Sequence, residues 1–220
     1  MDNLTIANII TQFVPLIIAV VVHEVAHGYT AYRLGDSTAK DLGRLSLNPI
    51  KHIDPFMTII LPGLLIASGS PVIFGGAKPV PVNIFKLRHP KRDMAIVAAA
   101  GPISNFILAV FGILAMIIVK HTIGIETADG EINLLIMFCF QWIFINVILG
   151  VFNLFPIPPL DGGRIMVGLL PKDLARSYAK IERFGLLIVI FLLYTEVIQS
   201  YLQPFVFALK SLIDYVLVNL

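Results

Sequence analysis

Ala19-Val20-Val21-Val22-His23-Glu24-Val25-Ala26-His27-Gly28 sets a histidine, a glutamate and a second histidine inside an otherwise apolar run. Read as a helix, this stretch projects both imidazoles from one face, one turn apart. That spacing suits two nitrogen ligands on one zinc ion, with Glu24 offset toward water that it can deprotonate. Ionisable side chains are costly inside a membrane span, so a functional site is the first reading for three of them together. The structural alternative is a pair of core histidines hydrogen-bonded across helices, and Glu24 between them weighs against it.

The composition around this stretch points to a membrane. The chain has 220 residues, 57% hydrophobic and only 14% charged, whereas soluble domains carry about 45–50% apolar and about 25% charged residues. A polytopic membrane protein follows, with the lipid bilayer as its setting and no nucleic-acid partner expected. The length predicts a single membrane-embedded domain over 1–220. Cys139 is the only cysteine, which excludes an intrachain disulfide and a cysteine-based metal site. The first apolar run lacks a small-residue cleavage pattern, so it is read as part of the mature fold.

Outward from the opening stretch, the pattern predicts an all-α fold of about five to six membrane segments. Its core comprises a helix over 6–32, a second over 93–119, and a third over 132–153 that breaks down in a Pro-rich exit ending at 163. Residues 55–68 are apolar but too short for an easy crossing and are read as re-entrant or interfacial. The run 71–82 holds several prolines, which allow an edge strand or extended segment but forbid a central strand. A basic amphipathic connection over 164–183 leads to C-terminal helices within 184–218, one over 184–203 and another over 205–218, separated at Pro204.

A catalytic zinc needs three protein ligands and one open position. Beyond His23 and His27, the sequence offers Asp161 at the broken end of the third helix. An unwound stretch at membrane depth is tolerated only where it is buried in protein or lines a wet cavity, and a hydrolytic site requires such a cavity. The alternative is a plain turn at a helix exit. If Asp161 joins the histidines, the ends of helices 6–32 and 132–153 share a depth, and segment 33–92 begins and ends on one side. The basic residues of 33–92 and 164–183 then fall on that side together, with Lys120 on the other. By the positive-inside rule the active site faces the cytoplasm and the N-terminus is extracytoplasmic in a multi-pass cell-membrane protein.

Three motifs together resemble the site-2 protease family of intramembrane zinc metalloproteases, in its short form. They are His23-Glu24-Val25-Ala26-His27, Gly101-Pro102-Ile103-Ser104-Asn105, and Asn153-Leu154-Phe155-Pro156-Ile157-Pro158-Pro159-Leu160-Asp161-Gly162. The resemblance covers about residues 10–170. It implies that His23, His27 and Asp161 bind one zinc ion per chain, that Glu24 is the general base, and that Asn153 holds the substrate backbone or a developing oxyanion. Interhelical hydrogen bonding is the other reading of Asn153, with Asn146 as a local rival for its role. The implied substrate is a transmembrane helix of another protein, unwound locally before attack. Segment 71–82 is the candidate to hold the unwound chain as an added strand, or else an ordinary loop over the catalytic face. No insertion long enough for a PDZ domain separates the helices, and no nucleotide-binding module follows 183. Substrate selection is therefore expected from the membrane core, from 33–92 or from a partner.

The expected function is that of an intramembrane zinc endopeptidase, in regulated intramembrane proteolysis or the clearance of membrane remnants. The alternatives are a non-catalytic scaffold or small transporter with a retained metal site, and a zinc hydrolase acting on a non-peptide membrane substrate. Glu24 favours the enzyme, because a structural zinc has no use for a base. The sequence leaves the oligomeric state open. His52, His89 and His121 are read as solvated or interfacial, and Cys139 as an inert small hydrophobe.

Overall fold

The computed structural model describes residues 6–69, 75–127 and 131–219. The first apolar run forms α1 (Ile6–Arg33), about 42 Å of helix at 1.5 Å per residue and long enough to cross a bilayer. It stops where Gly35 takes a φ of +113°, a region that favours glycine, and the Asp36 N–H turns back to the Ala31 carbonyl. The other two core helices are α4 (Pro90–Thr122) and α5 (Leu134–Asn153), and each packs against α1 and against the other. α4 starts earlier than expected. Pro90 fits the first helical turn, where its missing N–H costs nothing, and the Asp93 carboxylate accepts the His89 N–H. Lys91 and Arg92 therefore belong to the helix rather than to the loop before it.

Between α1 and α4 lie the short α2 (Thr38–Asp41) and a π-helical turn, Pro55–Ile60, that runs into α3 (Leu61–Ala67). The Asp54 side chain starts that turn by accepting the N–H groups of Phe56 and Met57. The whole apolar piece, Pro55–Ala67, is short for a crossing, as the sequence suggests. Residues 71–74 lie outside the described residues. From 75 to 83 the chain is extended, with the Gly76 and Lys78 N–H groups bonded to the carbonyls of Met57 and His52. No strand forms among the described residues, and the one β-like contact is an isolated bridge between Glu126 and Ile132.

After α5 the chain is irregular to Leu160, then forms α6 (Asp161–Leu169), α7 (Lys172–Ala179), α8 (Gly185–Tyr194) and α9 (Val197–Asn219). The last pair corrects the sequence reading. α9 runs through Pro204, which forfeits one backbone hydrogen bond without ending the helix. The break lies instead at Thr195-Glu196, whose N–H groups return to the carbonyls of Phe191 and Leu193. Glu196 takes a φ of +59° there, the left-handed conformation that closes many helix ends. Met116, Ile136, Ile143, Leu209 and Ile213 form the main apolar core, where α4, α5 and α9 meet. Among the described residues, Ile10–Arg33, Pro90–Thr122, Leu134–Asn153 and Val197–Asn219 are long and apolar enough to cross a membrane. With the shorter apolar pieces at α3 and α8, the all-α polytopic class holds.

Candidate metal centre

α1 presents His23 and His27 on one face, both buried, with their rings edge to face and centroids 4.6 Å apart. Asp161, in the first turn of α6, reaches them across the bundle. Its Oδ2 lies 3.0 Å from His23 Nε2 and 3.3 Å from His27 Nε2, and the two Nε2 atoms are 3.0 Å apart. The sequence-predicted ligands therefore converge on one point.

Hydrogen positions decide what this triangle can do. His27 Nδ1 lies 2.7 Å from the Val97 carbonyl, which only accepts, so Nδ1 carries the proton of the neutral ring. His23 Nδ1 lies 2.6 Å from Asn105 Oδ1. The orientation of that amide is fixed because its Nδ2 donates to the Ala19 carbonyl at 3.2 Å. Both Nε2 atoms thus offer lone pairs, and they face a carboxylate oxygen, Asp161 Oδ2, that is buried without a hydrogen-bond partner. With both rings neutral, three buried acceptors converge with no proton among them. Such an arrangement is unfavourable on its own and is resolved by a cation. The donor set, two imidazoles and a carboxylate, suits zinc, whose ligand atoms at about 2.0–2.2 Å from the metal stand about 3.3 Å from one another in a tetrahedron.

Two close approaches build the site. A Cβ on Gly101 of α4 would lie 2.5 Å from His27 Nε2 and 2.6 Å from His23 Nε2, so only glycine lets α4 lie against the two imidazoles. A Cβ on Gly162 would strike the Leu154 carbonyl, and one on Gly163 would strike the backbone of Pro158. These glycines let the start of α6 press into the Pro-rich loop and so carry Asp161 inward.

Behind His23 the hydrogen bonds continue. Asn105 Nδ2 also donates to Asn146 Oδ1 at 3.0 Å, and Asn146 Nδ2 donates to the Trp142 carbonyl at 2.9 Å. Both amides are fully buried. The sequence reading treats 101–105 as a small-residue contact and misses Asn105 as the group that sets the His23 tautomer. The available signal was a lone amide in the apolar interior of a predicted span. Asn146 belongs to this chain of amides, whereas Asn153 lines a cavity of about 480 Å³ together with His23, Glu24, His27 and Asp161. Asn153 Nδ2 bonds to the Leu149 carbonyl at 3.0 Å. Glu24 is half-buried, and its Oε2 accepts the Val80 N–H at 2.7 Å. That contact uses a backbone group, and residue type gives no sign of it.

The other histidines divide. His89 and His121 are exposed. His52 is only 3% exposed, contrary to expectation, and its Nε2 donates to the Ser46 carbonyl at 2.8 Å, so it braces the loop that supports residue 78. Cys139 is buried in the main core.

With this geometry in place, comparison with known proteins identifies the lineage. The model of peptidase family M50 matches residues 11–128 and 112–195. The chain belongs to this family, the site-2 proteases. It is 40% identical over 191 residues to the Bacillus subtilis (strain 168) protein named "Putative zinc metalloprotease YwhC", covering 87% of this chain and 83% of that one. Two mycobacterial proteins share the name "Putative zinc metalloprotease Rip2". The one from Mycolicibacterium smegmatis is 32% identical, covering 84% of this chain and 67% of its own length. The one from Mycobacterium tuberculosis H37Rv is 30% identical, covering 80% and 64%. No solved structure matches. As an M50 peptidase, the chain is a membrane-embedded zinc metalloendopeptidase.

Proposed function

We propose that this protease hydrolyses a peptide bond in or near a transmembrane helix of another membrane protein, in regulated intramembrane proteolysis or the clearance of membrane remnants. In this reading His23, His27 and Asp161 hold one zinc ion per chain. The observation that carries it is the buried triangle of proton-free acceptors opening on a cavity that Glu24 also lines. Zinc held there supplies Lewis acidity toward a scissile carbonyl and lowers the pKa of water toward about 7. Glu24 takes the proton from the attacking water and returns it to the leaving amine. Asn153 steadies the substrate backbone or the oxyanion.

Within the candidate segment 71–82, residues 75–82 are the described part that would hold an unwound substrate. Gly76 and Lys78 direct their N–H groups to the neighbouring chain, and Val80 directs its own to Glu24. The Ala77 N–H makes no hydrogen bond among the described residues and is open to an added chain. The distribution of lysine and arginine supports a cytoplasmic active site and an extracytoplasmic N-terminus.

The test pairs metal analysis with cleavage of a transmembrane reporter. One zinc per chain is expected in the wild type, with loss in His23→Ala and Asp161→Ala. Glu24→Gln is expected to keep zinc and to lose about 10²- to 10⁴-fold in cleavage. Zinc retained in Asp161→Ala would remove that residue from the ligand set, and full cleavage by Glu24→Gln would remove the base.

A further inference from the structure

Apart from Asn219 at its end, α9 carries its strongly polar side chains on one face. At about 100° per residue, Gln199, Ser200, Gln203, Lys210, Ser211 and Asp214 fall within about 120° of arc, and Glu196 in the preceding break extends the line. All are exposed. The buried residues Leu209, Ile213 and Val216 point elsewhere, into the core shared with α4 and α5. Gln199, Ser200 and Gln203 line a groove of about 430 Å³ with Phe144 and Ile148, which lie midway along α5. These polar groups therefore sit near the centre of the membrane, where lipid offers no hydrogen bond.

Gln199 reaches the Leu193 carbonyl at 2.8 Å. Gln203, Lys210 and Asp214 make no side-chain hydrogen bond or ion pair among the described residues. Gln203, level with the middle of α5, is costly to leave against hydrocarbon, so something covers this part of the face. Phe207, on the same face and 62% exposed, and the apolar wall of the groove argue for protein rather than a water-filled channel.

We propose that the cover is a second copy of this chain, packed α9 against α9 about a two-fold axis along the membrane normal. Copies of one chain insert in the same orientation, so each residue meets its counterpart at its own depth. The face is self-complementary under that symmetry. The Gln203 amide both donates and accepts, so two copies bond to each other. Lys210 and Asp214 have opposite charge, stand one turn apart and flank the Gln203 line on opposite sides, so Lys210 of each copy reaches diagonally along the helix to Asp214 of the other. A partner of single charge would match only half of this pattern.

The test uses the full-length chain in liposomes. In a Cys139→Ala background, Gln203→Cys is expected to form an intermolecular disulfide on oxidation, and Leu212→Cys on another face is not. Self-association of differently tagged copies is then measured for Lys210→Asp and for Asp214→Lys. Each variant alone is expected to associate at least tenfold more weakly than the wild type. Mixed together they are expected to recover, because the doubly acidic face then meets the doubly basic one. A pairing internal to one helix gives no recovery on mixing. Monomers at every protein density, equal cross-linking from residues 203 and 212, or cross-linking of residue 203 only to a different protein in native membranes would each overturn the proposal.

Discussion

Two sets of amide side chains lie at similar depth in this molecule, and only one has every member tied into a network within the chain. Asn105 and Asn146 are fully buried, and their bonds run without a gap from the Trp142 carbonyl to the His23 ring. Gln199 and Gln203 stand on the outer face of α9 beside Ile148, only two residues along α5 from Asn146. Inside the bundle, each amide has a fixed orientation because a backbone carbonyl takes its N–H, and a fixed amide can in turn fix an imidazole. On α9 the Leu193 carbonyl takes the Gln199 N–H, but Gln203 has no such partner among the described residues. A satisfied polar group in a membrane protein therefore positions something, whereas an unsatisfied one marks where something else must come.

The contrast breaks most sharply at Gly101. The inner chain works only while α4 lies flush against the two imidazoles. Gly101→Ala sets a methyl 2.5–2.6 Å from three of their ring atoms, and neither ring can yield without losing its Nδ1 partner. A ligand displacement near 1 Å is expected to weaken zinc binding by about 100-fold or more, read by competition with a chelator. The matching change on the outer face, Ser200→Ala, is expected to leave zinc affinity unchanged.

Within the inner chain the effect should fall with distance from the metal. Asn105→Leu removes the acceptor of the His23 Nδ1–H and is expected to cost about 10- to 100-fold in zinc affinity. Asn146→Leu leaves Asn105 still tethered to the Ala19 carbonyl, so a few-fold loss is expected from the same assay. In the double variant the two losses should not add, because the Asn146 effect passes through Asn105. Additive losses would mean that the two amides act separately.

This gradient also marks how far the sequence could be read. Helix periodicity and the cost of ionisable groups in a span locate His23, Glu24 and His27, and the Pro-rich helix exit locates Asp161, because these signals are local. The role of Asn105 is not local. It depends on which backbone carbonyl of α1 lies opposite, a matter of register between α1 and α4 that spacing alone does not set. The Val80 N–H on Glu24 is further from view, being a main-chain group delivered by an extended segment. Pro204 misleads for the opposite reason. Its chemistry signals a break, yet a helix tolerates one missing N–H, and the true break at Glu196 has no proline or glycine to announce it.

The loops extend the comparison to a place where water competes. Asp36 is as buried as Asn105, and it ties the end of α1 to the extended segment by accepting the Asn83 N–H at 2.6 Å and the Thr38 N–H at 3.0 Å. Burial alone would raise its pKa. The Thr38 hydroxyl, these N–H groups and the charge of Lys86 overcome that and hold the carboxyl below its ordinary value of 3.8. Below that value the unfolded chain binds the proton first. The contribution of Asp36 to stability is therefore complete above about pH 4, and it is lost as pH falls through the folded-state pKa. Thermal unfolding of wild type and Asp36→Asn should differ by a constant margin, on the order of a few degrees, from pH 7 down to about pH 5. The margin should shrink toward pH 3. Zinc release in acid affects both proteins and drops out of the difference. A margin independent of pH would mean that Asp36 holds the loop by its shape and not by its charge.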